Sequence, residues 1–225
     1  MNRPRILDLF SGAGGAAVGY HRAGFDVVGV DLVHQPRYPF TFEQGDALEF
    51  VAAHGGEFDA IHASPPCQAY TWAAHYQRTQ GATYPDLVAA TREALNATGR
   101  PWVIENVPGS PMRADYRICG CHVGLAEIRR VRWFETSWHG FALAPPCHHT
   151  ALAITVTGHG TTSRSAHRIR GLPNPTVAQI RLAMGIDWMS RDELSQAIPP
   201  AYTRFIGGQL AAHLERHAAS REVPA

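Results

Sequence analysis

Four apolar runs in the first half of the chain, at 5–10, 25–31, 58–63 and 101–107, alternate with stretches of helical periodicity at about 14–23, 47–54 and 84–98. That alternation admits few folds. Strands separated by helices have no hairpins to join them, so they line up parallel in one sheet with the helices on its two faces. Gly24, Gly55 and Gly99 follow the three helical stretches, where a glycine suits a helix stop. The layout is α/β and of the nucleotide-binding kind.

The 225 residues are enough for one domain with a proper core and a small appended subdomain. A hydrophobic content of 45% with 17% charged residues fits a folded soluble protein. No apolar run approaches the roughly 20 residues of a membrane span. The first five residues lead straight into Ile6-Leu-Asp-Leu-Phe10, which is not signal-peptide architecture, and four cysteines without paired spacing read as reduced thiols. The expectation is a cytoplasmic protein with no membrane contact. Net charge is +1 and all 20 basic residues are arginines, so distribution says more than the total. No Asp or Glu occurs between Glu135 and Asp187, a stretch that holds Arg164, Arg168, Arg170 and Arg181.

Beyond Val107 the pattern loosens. Further strands are expected at 130–136 and 152–157, then a turn-rich segment at 158–171 that Leu172-Pro-Asn-Pro175 closes. Helices resume at 176–184 and 191–197. Pro199-Pro200 then opens a last helix with Tyr202, Phe205, Ile206, Leu210 and Leu214 on one face.

Chemistry concentrates in four places. The loop Phe10-Ser11-Gly12-Ala13-Gly14-Gly15 joins the first strand to the first helix, where small residues let backbone amides approach a ligand. Asp31, ending the second strand, is well placed for ribose hydroxyls, and Gly45-Asp46 suits a helix N-cap for Ala47 onward. Pro65-Pro66-Cys67-Gln68 follows the third apolar run, so two prolines present a cysteine rigidly, as a nucleophile requires. Glu105-Asn106 ends a hydrophobic strand that would raise the carboxyl pKa, and Arg130 and Arg132 flank Val131 so that both face one way. Alone, the glycine loop fits many dinucleotide enzymes, the cysteine fits an inert thiol, and the arginine pair fits a solvated strand face.

In order and spacing, Asp8-Leu-Phe-Ser-Gly-Ala-Gly-Gly15, Pro65-Pro66-Cys67-Gln68, Glu105-Asn106-Val107 and Arg130-Val-Arg132 resemble the DNA cytosine-5 methyltransferases. The resemblance covers about 5–136 and 176–210. It implies a Rossmann-like S-adenosylmethionine-dependent methyltransferase fold, a mostly parallel sheet flanked by helices with a small target-recognition insertion. The divisions are then 1–136 for the catalytic, cofactor-binding part, 137–175 for a reduced recognition region, and 176–225 for helices completing the catalytic part. Phe10 to Gly15, Asp31, Leu32, Asp46, Ala47 and Pro65 would hold S-adenosylmethionine. Cys67 would attack C6 of cytosine, Glu105 would stabilise charge at N3, and Arg130 and Arg132 would hold the flipped nucleotide. Pro66, Gln68, Asn106, Arg164, Arg168 and Arg170 would contact the substrate, double-stranded DNA. Residues 68–82, with Tyr70, Trp72, His75, Tyr76 and Arg78, resemble a loop that closes over an extruded base. A monomer of bacterial or phage type is expected, and the sequence does not choose among restriction, self-protection and a mobile element as its role.

Ile128, Gly208 and Tyr70-Thr71 depart from the family pattern, where glutamine, asparagine and Phe-Ser are usual. Cys119-Gly-Cys121-His122 and Cys147-His148-His149 raise zinc, but Cys-x-Cys is not the usual two-residue knuckle, so no metal is expected. Three rivals remain: an RNA (tRNA) cytosine methyltransferase, a non-catalytic nucleic-acid-binding relative, and an enzyme that transfers a modified group.

Overall fold

A computed structural model describes residues 3–71, 79–138, 145–154, 156 and 175–222. Strands β1 (Arg5–Leu9), β2 (Asp26–Asp31), β3 (Thr41–Gln44), β4 (Ala60–Ala63), β5 (Trp102–Asn106), β6 (Tyr116–Ile118) and β7 (Arg132–Thr136) form one sheet. Its order is β3-β2-β1-β4-β5-β7-β6. Pairing is parallel from β3 through β5, and β7 runs antiparallel to both of its neighbours. Helices α1 (Gly15–Arg22), α2 (Ala47–His54) and α3 (Val88–Ala97) are the crossovers, and α4 (Val177–Met184), α5 (Arg191–Gln196) and α6 (Pro200–Glu222) complete the chain.

Strands covered on both faces must be apolar throughout rather than alternating. Ile6, Leu7 and Leu9 of β1 and all four residues of β4 are buried accordingly. One face packs Ile6, Ala17, Tyr20 and Phe25 with Tyr202, Ile206 and Leu210, so the last helix lies on the same face of the sheet as the first. The other packs Leu7, Leu9, Val51, Ile61, Leu95, Trp102 and Ile104. A third cluster joins Ala13 of the glycine loop to Ile128, Ile180, Met184 and Leu194.

The α/β class and the first-half alternation stand as expected. Four expectations need correction. β3 is a short edge strand with little buried surface, and β6 has three residues, so neither leaves an apolar run to read. The antiparallel strand β7 starts at Arg132, with Arg130 and Val131 outside the ladder. Residues 152–154 form no strand; Ile154 N–H donates to Glu127 O at 2.9 Å, and Val156 is buried against the third cluster. On α6, Tyr202, Ile206 and Leu210 are fully buried while Phe205 sits at the edge of the contact, 38% exposed. No described helix is long and apolar enough to cross a membrane.

Candidate active site

Parallel strands aim their carboxyl ends at one edge of the sheet, and the loops leaving β1, β2, β4 and β5 meet there. The first of these is the glycine loop. Phe10 holds φ 55° and Gly12 and Gly14 hold φ 49° and 84°. A phenylalanine in the left-handed region is strained, and such strain collects where a backbone is held for a ligand. At Gly14 any Cβ would press on Pro39 Cδ at 2.7 Å and on the Tyr38 ring. The loop is tied to the next strand: Ser11 N–H donates to Val30 O at 3.1 Å and Gly12 N–H to Asp31 Oδ2 at 2.9 Å. Asp31 also accepts from Val33 N–H at 3.0 Å, which orients its carboxylate beneath the loop. Leu32 beside it is 68% exposed, an apolar surface at the strand end. Asp46 caps α2 by accepting from Leu48 N–H and Glu49 N–H at 2.8 and 3.0 Å, and Ala47 is buried in the core.

Cys67 is partly exposed at the start of a tight turn, its carbonyl accepting from the N–H of Tyr70 and Thr71. Burial raises the thiol pKa, the charge of Glu105 raises it further, and Arg132 and Arg130 pull it down. All three charged groups therefore act on the sulfur. Glu105 ends β5, buried, its pKa raised by burial and lowered by the two arginines and a hydrogen bond from Ser64. Arg132 Nε lies 2.8 Å from Glu105 Oε1, an ion pair by distance. The approach is out of line for a hydrogen bond, and Oε1 is buried with no donor. An acceptor left bare in a desolvated site is costly unless a ligand supplies the donor. Arg130 donates to Ser195 O at 2.8 Å, leaving its Nη1 without a partner. Burial and the neighbouring Arg132 lower its pKa to about 9, so it remains a cation at neutral pH.

Several contributors went unread in the sequence. Tyr20 OH lies 3.0 Å from His62 Nδ1, and His62 Nε2 lies 2.8 Å from Ser64 Oγ. Burial depresses the His62 pKa to about 3, so the imidazole is neutral. A neutral ring that accepts from Tyr20 has its one N–H left for Ser64, whose hydroxyl then donates to Glu105. The line of donors ends on the carboxylate. Trp188 Nε1 donates to Ala13 O at 2.8 Å, pinning the glycine loop from the far end of the chain. Asn106, expected to touch substrate, is instead turned inward: its Nδ2 donates to Pro65 O at 3.0 Å and its Oδ1 accepts from Val107 N–H. It holds the proline pair that presents Cys67. Ile128 is buried in the third cluster and does not face the site. Trp72, His75, Tyr76, Arg78, Arg164, Arg168 and Arg170 lie outside the described residues. Pro66 is partly exposed and Pro65 buried, and Gln68 follows Cys67 in the same turn.

Residues 4–110 match the family described as C-5 cytosine-specific DNA methylase. A type II methyltransferase, M.XorII of Xanthomonas oryzae pv. oryzae, is 33% identical over 87 residues, 32% of this chain and 20% of that one. The match thus spans about one fifth of the curated relative's length. Among solved structures, S. pombe Dnmt2 methyltransferase superposes with a TM-score of 0.54 at 14% identity, over 91% of this chain and 97% of that one. That likeness concerns the fold. The match to the C-5 cytosine-specific DNA methylase family runs through every strand from β1 to β5 together with the loop that carries Cys67.

Proposed function

We propose that the chain transfers a methyl group from S-adenosylmethionine to C5 of cytosine in DNA, through a transient bond between Cys67 Sγ and C6 of the base. The observation that carries this reading is the meeting of the Cys67 thiol with a buried carboxylate whose Oε1 lacks a donor and with two guanidinium groups, beside the glycine loop. C5 of cytosine is inert until a nucleophile adds at C6. The thiolate supplies the electron pair, the ring takes negative charge toward N3, and Glu105 offers N3 a proton or hydrogen bond. With the cofactor bound, C5 would take the methyl carbon as the neutral thioether S-adenosylhomocysteine leaves; the C5 proton would then pass to a base, Cys67 would leave as thiolate, and Glu105 would recover the N3 proton. Atoms and charge balance without an oxidant.

The cofactor supplies a methyl group on a positively charged sulfur, and the residues present fit it. The left-handed loop offers amides with no side chain at Gly12, and Asp31 stands beneath them with a carboxylate for hydroxyls. Asp31→Ala removes both an anchor of the loop and that carboxylate, so S-adenosylmethionine affinity measured by titration calorimetry falls roughly tenfold or more. Unchanged affinity rejects the assignment.

A cytosine within a duplex hides C5 and C6, so the base must be flipped, at a cost of a few kcal/mol. Arg130 and Arg132 are suited to hold the extruded nucleotide, and the acid-free segment 137–175, with Arg164, Arg168 and Arg170, to read the duplex. Its length suits a context of two to four bases. Base-resolution methylation mapping of DNA from cells expressing the chain, with tRNA sequenced in parallel, tests the proposal. It expects 5-methylcytosine in DNA in a short context. A six-base consensus rejects the short reader, and methylation confined to tRNA rejects DNA as substrate.

A further inference from the structure

Cys119, Cys121, Cys147 and His149 are far apart in sequence and together in space. One ligand atom from each, three Sγ and one imidazole nitrogen, lies within 4.8 Å of every other. We propose that these four residues bind a structural zinc ion, a site separate from the methyl-transfer centre. The spacing reading expected no metal because a Cys-x-Cys pair is not by itself a knuckle. The fold supplies what the spacing lacked, a second half-site, Cys147-x-His149, brought against the first.

The donor set is one zinc prefers, and the distances suit it. Tetrahedral zinc with Zn–S of about 2.3 Å and Zn–N of about 2.0 Å places its ligand atoms about 3.5 to 3.8 Å from one another. Cys119 Sγ and His149 Nε2 are 3.3 Å apart, and the widest pair must close by less than about 1 Å to reach that spacing.

The surroundings are those of a ligand shell. His149 Nδ1 lies 3.4 Å from Ala126 O and donates to it, which fixes the tautomer and turns the Nε2 lone pair toward the sulfurs. Cys119 caps a short 3-10 turn, Gly120–Val123, its Sγ accepting the backbone N–H of His122. The His122 Nδ1 accepts from Cys119 N–H, so its proton sits on Nε2, 3.7 Å from Cys147 Sγ. His122 therefore supports a ligand and is not one. Gly120, between the first two cysteines, has no room for a Cβ, which would meet Leu125 O at 2.7 Å.

All four positions are filled by protein, so the site is structural rather than catalytic. Its place shows what it would hold. Cys119 follows β6 directly, the turn packs on Ile128 two residues before Arg130, and Tyr202 OH, within reach of the Cys119 and Cys121 charges, donates to Arg130 O at 2.5 Å. Cys147 and His149 stand where the chain sets out into the segment 150–175. One ion would thus clamp the root of that segment to the end of β6, the strand paired with the β7 that carries Arg132.

The test is the metal content of the full-length protein, purified under reducing conditions without chelator and measured by mass spectrometry. The expected content is about one zinc per chain, falling below about 0.2 in Cys121→Ser and Cys147→Ser and staying near one in His122→Ala and Cys67→Ser. Cobalt added to metal-stripped protein should give the intense visible bands of a tetrahedral thiolate site, lost in Cys147→Ser. The proposal is overturned if the unaltered chain holds less than about 0.1 zinc and shows no such cobalt spectrum, or if its zinc survives both serine substitutions. Zinc content is read without any methyl transfer, so a zinc-bearing chain that methylates nothing would refute the proposed activity and leave this site standing.

Discussion

Cys67→Ser abolishes methylation of duplex DNA while S-adenosylmethionine binding stays within about twofold of the unaltered chain. The transfer rate falls by at least about four orders of magnitude, about 5.5 kcal/mol of barrier at 1.36 kcal/mol per tenfold. Serine is close to cysteine in size, and the backbone bonds from Tyr70 and Thr71 to the residue 67 carbonyl do not depend on the side chain. The turn is kept and the chemistry is not. The Cys67 thiol, although pushed up by burial, has two arginines that favour its anion, whereas a hydroxyl has no comparable route to one. Asp31 and the glycine loop do not involve the residue, so calorimetry with S-adenosylmethionine separates lost chemistry from lost fold. A serine variant that still makes 5-methylcytosine ends the covalent mechanism.

The first half of the fold was legible because a parallel strand covered on both faces is predominantly apolar, and β1, β2, β4 and β5 each carry such a run with few polar residues. β3 and β6 were not, since an edge strand needs no buried face and three residues carry no period. In the site, Cys67, Glu105 and Asp31 could be placed from turn and strand-end positions. The partners behind them could not. His62 is one polar residue in an apolar strand, and nothing local says that its ring bridges Tyr20, 42 residues earlier, to Ser64. That lone histidine was the available signal, because a buried imidazole needs partners for both nitrogens. Asn106 misled for the opposite reason: adjacency to Glu105 suggested substrate, while its amide was committed to Pro65 by a contact across two strands. The zinc ligands show the same limit, two weak local patterns that only tertiary structure makes into one.

Glu105→Gln separates two roles that one carboxylate plays, and the two readouts move in opposite directions. Methyl transfer falls by roughly 10²- to 10³-fold, the scale seen when a group that stabilises developing charge is removed. The amide keeps the shape and an acceptor oxygen but cannot carry a proton to N3. At the same time the Cys67 thiol becomes more acidic. Glu105 is the second-largest cause of its raised pKa, after burial, and the arginines that oppose it remain. For each unit the pKa falls, the thiolate fraction below the pKa rises about tenfold and intrinsic nucleophilicity drops about threefold, so alkylation quickens about threefold. Peptide mass spectrometry after a timed pulse of iodoacetamide near pH 7.5 reads Cys67 apart from the other three cysteines. The sign is the discriminating feature: general damage to the site slows methylation alone or opens every thiol alike. Faster alkylation confined to Cys67, with methylation collapsed, places the carboxylate's charge on the sulfur and its proton on the base. Alkylation that is unchanged or slower in a folded variant means that Glu105 does not act on the thiol, and the assigned pairing fails.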